Sequence, residues 1–398
     1  MRIAYVCADA GVPVFGRKGC SVHVQEVAGA LRAAGAVVSL FASSLGGRPT
    51  PALAGAPLRR LPRPSGKDGA AREREALKAN GALREALEAS GPFDAVYERY
   101  ALWSFAGMEY ARDAGIAGLL EVNAPLIEEQ AAHRGLVYRK AAENVADRAF
   151  AAASRLIAVS EPLARWVNLR RRAGGHVHVI PNAIDPARFR AKVRPTRRAA
   201  EVFTVGFVGS LRPWHGLSVL ADAFARLHAR WPASRLLVVG DGPERASFES
   251  ALDRLGLRHA AELTGAVAAH RVPGLLASMD AAVAPYPPQA DFYFSPLKVY
   301  EYMAAGLPVV ASRIGQIADA IRDGESGLLC PPGDAENIAY ALGRLAADAA
   351  LRTRLGAEAR RQVLAQRTWG AVAERILLLA IESLRERRDR DVAAGEGA

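Results

Sequence analysis

Apolar runs about as long as a buried strand alternate with segments of helical periodicity along nearly the whole chain. In the first half the runs fall at residues 3–7, 37–41, 95–98, 119–122, 156–160 and 177–180, with helical patterns such as 22–34 and 72–89 between them. The second half repeats the theme at 203–208, 236–239, 282–284, 309–311 and 327–329, without an obvious sequence repeat. This alternation predicts α/β architecture with βα units and parallel sheets. It breaks over residues 186–200, where Pro186, Pro195, Arg188, Arg190, Lys192, Arg194, Arg197 and Arg198 show no apolar period. That stretch reads as an interdomain linker. The expected organisation is an N-terminal domain over 1–185, a second over 201–368, and a segment 369–398 that returns as a helix toward the first domain. Residues 46–69, rich in Gly, Pro and Arg, read as a long surface loop, and the charged residues from Glu386 on as a fraying tail. Two doubly wound sheets joined by a linker imply a cleft, with ligands beyond the carboxyl ends of the strands.

A length of 398 residues supports two domains, and 51% hydrophobic with 23% charged residues supports sizeable cores. No run of about 18 uncharged apolar residues predicts a membrane span. The opening run, Met1 to Cys7, is too short for a signal peptide and is interrupted by Asp9, so it reads as a first strand. Cys7, Cys20 and Cys330 give neither a disulfide framework nor a zinc spacing, which fits a reducing cytoplasm. The net charge of +11 would attract phosphates, anionic lipid or nucleic acid, or simply reflect an Arg- and Ala-rich composition. The basic residues are spread along the chain without a nucleic-acid reader motif, so nucleic acid is not an expected partner. Residues 165–172, with Trp166 among several arginines, would suit an anionic membrane surface or an ordinary solvated face. Asp389 and Asp391, in a tail of this composition, do not read as a metal pair.

The strongest local signal runs from Ser295 to Ser312. Ser295 reads as an N-cap, Pro296 as the first helical position, and Gly306 with Pro308 as the stop. Amides at Leu297 and Lys298, the helix dipole and the Lys298 ammonium together make a diphosphate site. Glu301, one turn on, offers a carboxylate to a ribose diol; the plainer reading is a capped helix with a Lys298–Glu301 surface pair. A second signal, Val208-Gly209-Ser210-Leu211-Arg212-Pro213-Trp214-His215-Gly216, leaves a strand and precedes a helix near Ser218. There Gly209 and Gly216 would let backbone approach a ligand, while Arg212 and His215 supply positive or donor groups. Gly240-Asp241-Gly242 is a third glycine turn, weak by itself.

These three segments, in this order and spacing, resemble family 4 of the retaining glycosyltransferases, and the resemblance covers essentially the entire chain. It implies the GT-B fold: two Rossmann-like doubly wound domains facing a central cleft, the second binding the nucleotide-sugar donor. Glu301-Tyr302-Met303-Ala304-Ala305-Gly306 matches the run whose glutamate binds ribose, and Pro181-Asn182-Ala183-Ile184-Asp185 looks like the segment before the crossover. His215 stands where the family usually has lysine, with Arg212 as a substitute phosphate contact. An earlier family glutamate would fall at Tyr293 and is missing; Asp291 lies nearby.

The resemblance assigns the acceptor to the first domain. The glycine loop from Gly16 to His23 would close over the diphosphate and the sugar, with Gly19 and Ser21 as the expected positions. Arg17 and Lys18 would attract a phosphorylated acceptor. Glu121 and Asn123 end a strand and would face the cleft on the acceptor side, with Ser160 and Glu161 similarly placed. His133 would contact the transferred sugar; a surface role is the alternative. His23, His176, His178, His228, His259 and His270 read as structural. The implied reaction is retaining transfer to a glycan, lipid-linked or small-molecule acceptor in bacterial polysaccharide or glycolipid biosynthesis. His133, Arg212, Lys298 and Glu301 would be its catalytic groups, with no metal or other cofactor, working in the cytoplasm or peripherally on the inner membrane face. A nucleotide-sugar epimerase and a binding protein without turnover are the competing readings.

Overall fold

The computed structural model describes residues 1–170, 176–190, 193–196, 201–290 and 292–395. The chain divides into two compact units, Met1–Pro181 with Trp369–Ala398, and Asn182–Thr368. Unit 1 is built on a seven-stranded sheet ordered β3-β2-β1-β4-β5-β6-β7. Its strands are β1 (Arg2–Cys7), β2 (Val37–Ala42), β3 (Leu58–Arg60), β4 (Ala95–Arg99), β5 (Ala117–Val122), β6 (Arg155–Ala158) and β7 (Val177–Val179). Unit 2 has a six-stranded sheet ordered β10-β9-β8-β11-β12-β13, from β8 (Phe203–Val208), β9 (Ser234–Val239), β10 (Ala261–Leu263), β11 (Ala281–Ala284), β12 (Val309–Ser312) and β13 (Leu328–Cys330). Every pairing is parallel, with Tyr5 set between Leu40 and Tyr97, and Val208 beside Val239. The central strands are buried on both faces because helices cover them, which is why they read as continuous apolar runs. In each sheet the winding reverses beside the first strand, at β1/β4 and at β8/β11, where doubly wound sheets open a crevice.

Three expectations need correction. The stretch 46–69 is not only a loop: it holds a single turn at Pro51–Leu53 and the edge strand β3, parallel to β2. Arg59 and Arg60 on that strand are exposed, so its sequence carries no apolar run. The short strand β10, half-buried along most of its length, escaped notice for the same reason. Unit 2 begins at Asn182, earlier than the expected linker, and Phe189 is 1% exposed in a cluster with Ile184. Lys192, Arg197 and Arg198 of the expected linker lie outside the described residues.

The helix Trp369–Gly395 belongs to unit 1. Trp369, Ala373, Ile376, Leu379 and Ala380 are buried, and Trp369 meets the His23 ring edge-on at 5.2 Å. Glu386 does not begin a frayed tail: it pairs with the buried Arg155 at 2.5 Å, and Arg387 donates to the Arg112 carbonyl. No helix among the described residues is long and apolar enough to cross a membrane.

The turns after β8 and β9 are bonded to each other, Gly209 N to Val239 O at 2.9 Å and Leu211 N to Asp241 O at 3.0 Å. Gly240, at φ +140°, has no room for a side chain: a Cβ there would lie 1.9 Å from the Gly209 carbonyl oxygen. Gly240→Ala is expected to lower the unfolding free energy by about 3 kcal/mol or more. Gly256→Ala, at φ +70° in open space, should cost about 1 kcal/mol. Denaturant unfolding of the two variants side by side measures the difference.

Candidate functional site

In unit 2 the helix Leu297–Ala304 buries Val299, Tyr300, Tyr302, Met303 and Ala304, and Gly306 at φ +75° ends it. The Tyr302 hydroxyl accepts from the Val208 amide at 2.7 Å and donates to the Val208 carbonyl at 3.1 Å. One side chain thus ties the helix to the last residue of β8, immediately before Gly209. Sequence reading passed over Tyr302 because its partner is 94 residues away.

The start of this helix differs from expectation. Pro296, not Ser295, occupies the N-cap position, and no side chain caps the helix. Ser295 is drawn off by Asn182: its Oγ accepts from the Asn182 amide at 2.9 Å, and its carbonyl accepts from Asn182 Nδ2 at 3.0 Å. The Leu297 amide donates to the Ser295 carbonyl at 2.9 Å, so it is already engaged and is not the free donor expected.

Lys298 is half-buried as a residue, yet its Nζ is enclosed and has no hydrogen-bond partner. It lies 4.5 Å from the centroid of Phe207 and 5.3 Å from that of Tyr286. Burial pushes its pKa down to about 7. A cation held against aromatic faces without a counter-ion is costly unless an anion joins it. Gly209 opens onto the same place, since a Cβ there would stand 3.0 Å from Lys298 Nζ. His215 packs among Phe207, Trp214 and Tyr286. Its Nδ1 is 2.5 Å from the Ser210 carbonyl, which can only accept, so Nδ1 carries the proton. Burial, with Lys298 and Arg212 nearby, lowers its pKa to about 2, and the ring is neutral. Arg212 stacks toward Trp214 at 5.8 Å and has no acidic partner among the described residues. Gly216 and Gly242, in the turns after β8 and β9, have no room for a side chain. A Cβ at Gly216 would sit 1.7 Å from the Pro285 oxygen, and one at Gly242 2.3 Å from the Leu211 oxygen.

Glu301 does not pair with Lys298. Its Oε1 is 3.3 Å from Arg188 Nη2, and burial raises its pKa while Arg188 opposes the rise. Arg188 is the residue sequence reading missed, assigned to a linker when it is part of the site. Tyr293 lies against Phe294, which stacks in turn on Trp214 at 6.4 Å. Asp291 lies outside the described residues.

In unit 1, helix α1 (Gly19–Ala33) follows the loop after β1. Gly19 is exposed and a side chain there would meet nothing within 4 Å. Ser21 is fully buried with no hydrogen-bond partner for its Oγ. Arg17 is exposed, and Lys18 Nζ donates to the Gly11 carbonyl at 3.4 Å. Glu121 is 3% exposed, and its carboxylate is engaged by other side chains of unit 1. Its oxygens lie 2.8 and 2.9 Å from His23 Nε2, Asn123 Nδ2 donates to it at 2.9 Å, and Arg99 stands at 3.8 Å. Burial alone would raise the Glu121 pKa; His23, Arg99 and Asn123 outweigh it and hold the carboxyl down at about 2. His23 is therefore the fixed partner of Glu121, under the edge of Trp369. His133 ends helix α4 (Leu126–His133), is exposed, and is not among the residues lining the cavity of this unit. Trp166 packs edge-on against Phe150, and Arg170 turns to Trp166 and Glu128; Arg171 and Arg172 lie outside the described residues.

Comparison with known proteins identifies the family and the fold. Residues 17–188 match the family model Glycosyltransferase Family 4, and residues 202–348 match Glycosyl transferases group 1. The chain belongs to the family-4 glycosyltransferases. Among curated relatives it is 33% identical over 223 residues to a phosphatidyl-myo-inositol mannosyltransferase of Mycolicibacterium smegmatis, covering 56% of this chain and 55% of that protein. It is 32% identical over 226 residues to a D-inositol 3-phosphate glycosyltransferase of Stackebrandtia nassauensis, covering 53% and 50%. The matches thus span about half the length of these relatives. Among solved structures, sucrose-phosphate synthase of Thermosynechococcus elongatus superposes with a TM-score of 0.74 at 22% identity, over 96% of this chain and 98% of that one. HepE of Anabaena, solved with UDP and glucose, gives 0.71 at 20%, over 95% and 98%. At such identities the likeness establishes the fold, which is GT-B.

Because the Glu121 carboxyl is held at about 2, its ionised contacts stabilise the folded chain above the ordinary carboxylate range, and that stabilisation disappears as pH falls toward 2. Glu121→Gln is expected to be less stable than wild type near neutral pH and to show a flatter loss below about pH 4.5. Urea unfolding between neutral pH and pH 2 compares the two slopes.

Proposed function

We propose that the chain is a retaining glycosyltransferase, in which unit 2 holds a nucleoside-diphosphate sugar and unit 1 a glycan, lipid-linked or small-molecule acceptor. The observation that carries this reading is the enclosed, unpartnered Lys298 ammonium at the start of the helix that bears Glu301. An anion supplied by a ligand would satisfy it. Lys298 and Arg212 would neutralise the diphosphate as the bond to the sugar breaks, acting where charge develops. Glu301 would take the ribose diol, sharing its carboxylate with Arg188. His215, neutral and with Nε2 unprotonated, would accept a hydrogen bond rather than add charge. The acceptor oxygen would bond to the sugar carbon on the face the diphosphate leaves, and the leaving phosphate oxygen would take the acceptor's proton. In this scheme basic side chains carry the diphosphate charge without a metal.

UDP and glucose in the HepE structure support a donor of this class, and the names of the curated relatives support transfer to glycolipid or cyclitol acceptors. In this reading the chain works in the cytoplasm of a bacterium, in polysaccharide or glycolipid synthesis, and its charge of +11 favours an anionic membrane surface. Tyr293, at the place of a family glutamate, favours the second reading, a nucleotide-sugar-binding protein without turnover.

Incubation with a panel of UDP-, GDP- and ADP-sugars is expected to release nucleoside diphosphate from one donor. Release should persist in EDTA and disappear in Glu301→Ala. Calorimetric binding without release, even when glycan and lipid acceptors are added, would favour the binding protein, and no binding to any donor would refute both.

A second outcome follows from the Lys298 pKa of about 7. A bound diphosphate recharges the amine, so above pH 7 binding must take up a proton. Nucleoside-diphosphate affinity is expected to weaken as pH rises past 7, by up to about tenfold per unit. Lys298→Arg, charged throughout, should flatten the profile measured by calorimetry.

A further inference from the structure

Unit 1 encloses a cavity of about 370 Å³, within the range of small-molecule sites. It lies at the carboxyl edge of the sheet. Residues 8–11 follow β1, Ser43 follows β2, 61–64 follow β3 and 101–104 follow β4. Its lining is mixed: Leu61, Leu83 and Leu102 are buried and Trp103 half-buried, beside the buried Ser43, Asn80 and Ser104.

The lining carries three arginines and three carboxylates, but the described contacts do not pair them with each other. Arg63, Arg72 and Arg134 reach it from three separate segments: the stretch after β3, helix α2 (Gly69–Ser90) and the residue after α4. All three are exposed, and none pairs with a carboxylate among the described residues; Arg72 only donates to the Gly66 carbonyl at 3.3 Å. The carboxylates of the same lining, Asp9, Glu73 and Glu129, keep their charge but are held by other partners. Glu73 accepts from the Val137 and Tyr138 amides at 3.0 and 2.8 Å, Asp9 accepts from the Gly11 amide at 2.7 Å, and Glu129 is likewise not free. Lys18, outside the lining, donates to the carbonyl of Gly11, which belongs to it.

We propose that this cavity takes an acceptor bearing a phosphate ester, its ring or polyol against Trp103 and its phosphate between Arg63, Arg72 and Arg134. Guanidinium groups suit such a phosphate because each presents a planar fork of donors. The proposal rests on the reading of unit 1 as acceptor-binding. The phosphate can belong to a soluble sugar phosphate or to a phospholipid headgroup, and these differ in what remains attached.

The test is a binding titration of full-length wild type and of an Arg63→Ala/Arg134→Ala double variant. The probes are glucose 6-phosphate, glucose, and vesicles of phosphatidylglycerol or phosphatidylcholine. A soluble acceptor predicts that glucose 6-phosphate binds wild type at least about tenfold more tightly than glucose does, and that the double variant loses that margin. A lipid acceptor predicts the same loss for phosphatidylglycerol vesicles over phosphatidylcholine ones. If neither phosphate probe separates wild type from the double variant, or if their binding depends on Lys298 instead, the proposal is overturned. Nucleoside-diphosphate binding by both proteins is measured alongside. Its absence from wild type would defeat the glycosyltransferase reading while leaving the phosphate probes to decide the cavity, and its retention in the double variant shows that the substitutions act at the cavity alone.

Discussion

The hydroxyl of Tyr302 holds unit 2's site in register. By taking both the amide and the carbonyl of Val208, it fixes a helix to the end of a strand at the point where the sheet's winding reverses. Lys298 and Glu301 lie on that helix, and Gly209 is the next residue after Val208. Their spacing is therefore set by a buried hydrogen-bonded pair rather than by a flexible loop. Such a pair is worth more inside a protein than in water, because both backbone groups would otherwise be left unsatisfied.

The two units treat buried charge in opposite ways. In unit 1 the Glu121 carboxylate is ringed by His23, Asn123 and Arg99, so its charge is spent inside the protein. In unit 2 the Lys298 ammonium has aromatic faces and no counter-ion among the described residues. A buried charge with partners is offset by them, whereas one without is costly until an anion joins it. A similar contrast separates Asp9 and Glu73 of the unit 1 cavity, which accept from backbone amides, from the arginines beside them.

What the sequence revealed and what it hid divide along physical lines. The central strands of both sheets were visible because burial on two faces leaves continuous apolar runs. The edge strand β3 was invisible because Arg59 and Arg60 face solvent. Lys298 and Glu301 were legible because their chemistry lies within one helix. The partners of Glu301 and Glu121 were not, since Arg188 and His23 are 113 and 98 positions away along the chain. Ser295 was misread for a related reason: its local propensity to cap a helix lost to Asn182, a competitor that spacing cannot display. The cavity arginines come from three segments that only the fold assembles.

The return of the last helix to unit 1 gives the chain an unusual order of completion. Residues of unit 2 leave the ribosome as one uninterrupted stretch, so that unit can close its core during synthesis. Unit 1 is interrupted by the whole of unit 2, and the ring of His23 has no Trp369 against it until all of unit 2 has been made. The half of the protein made first is thus the half finished last, and a nascent chain halted within unit 2 would carry a sheet whose α1 still lacks its covering helix.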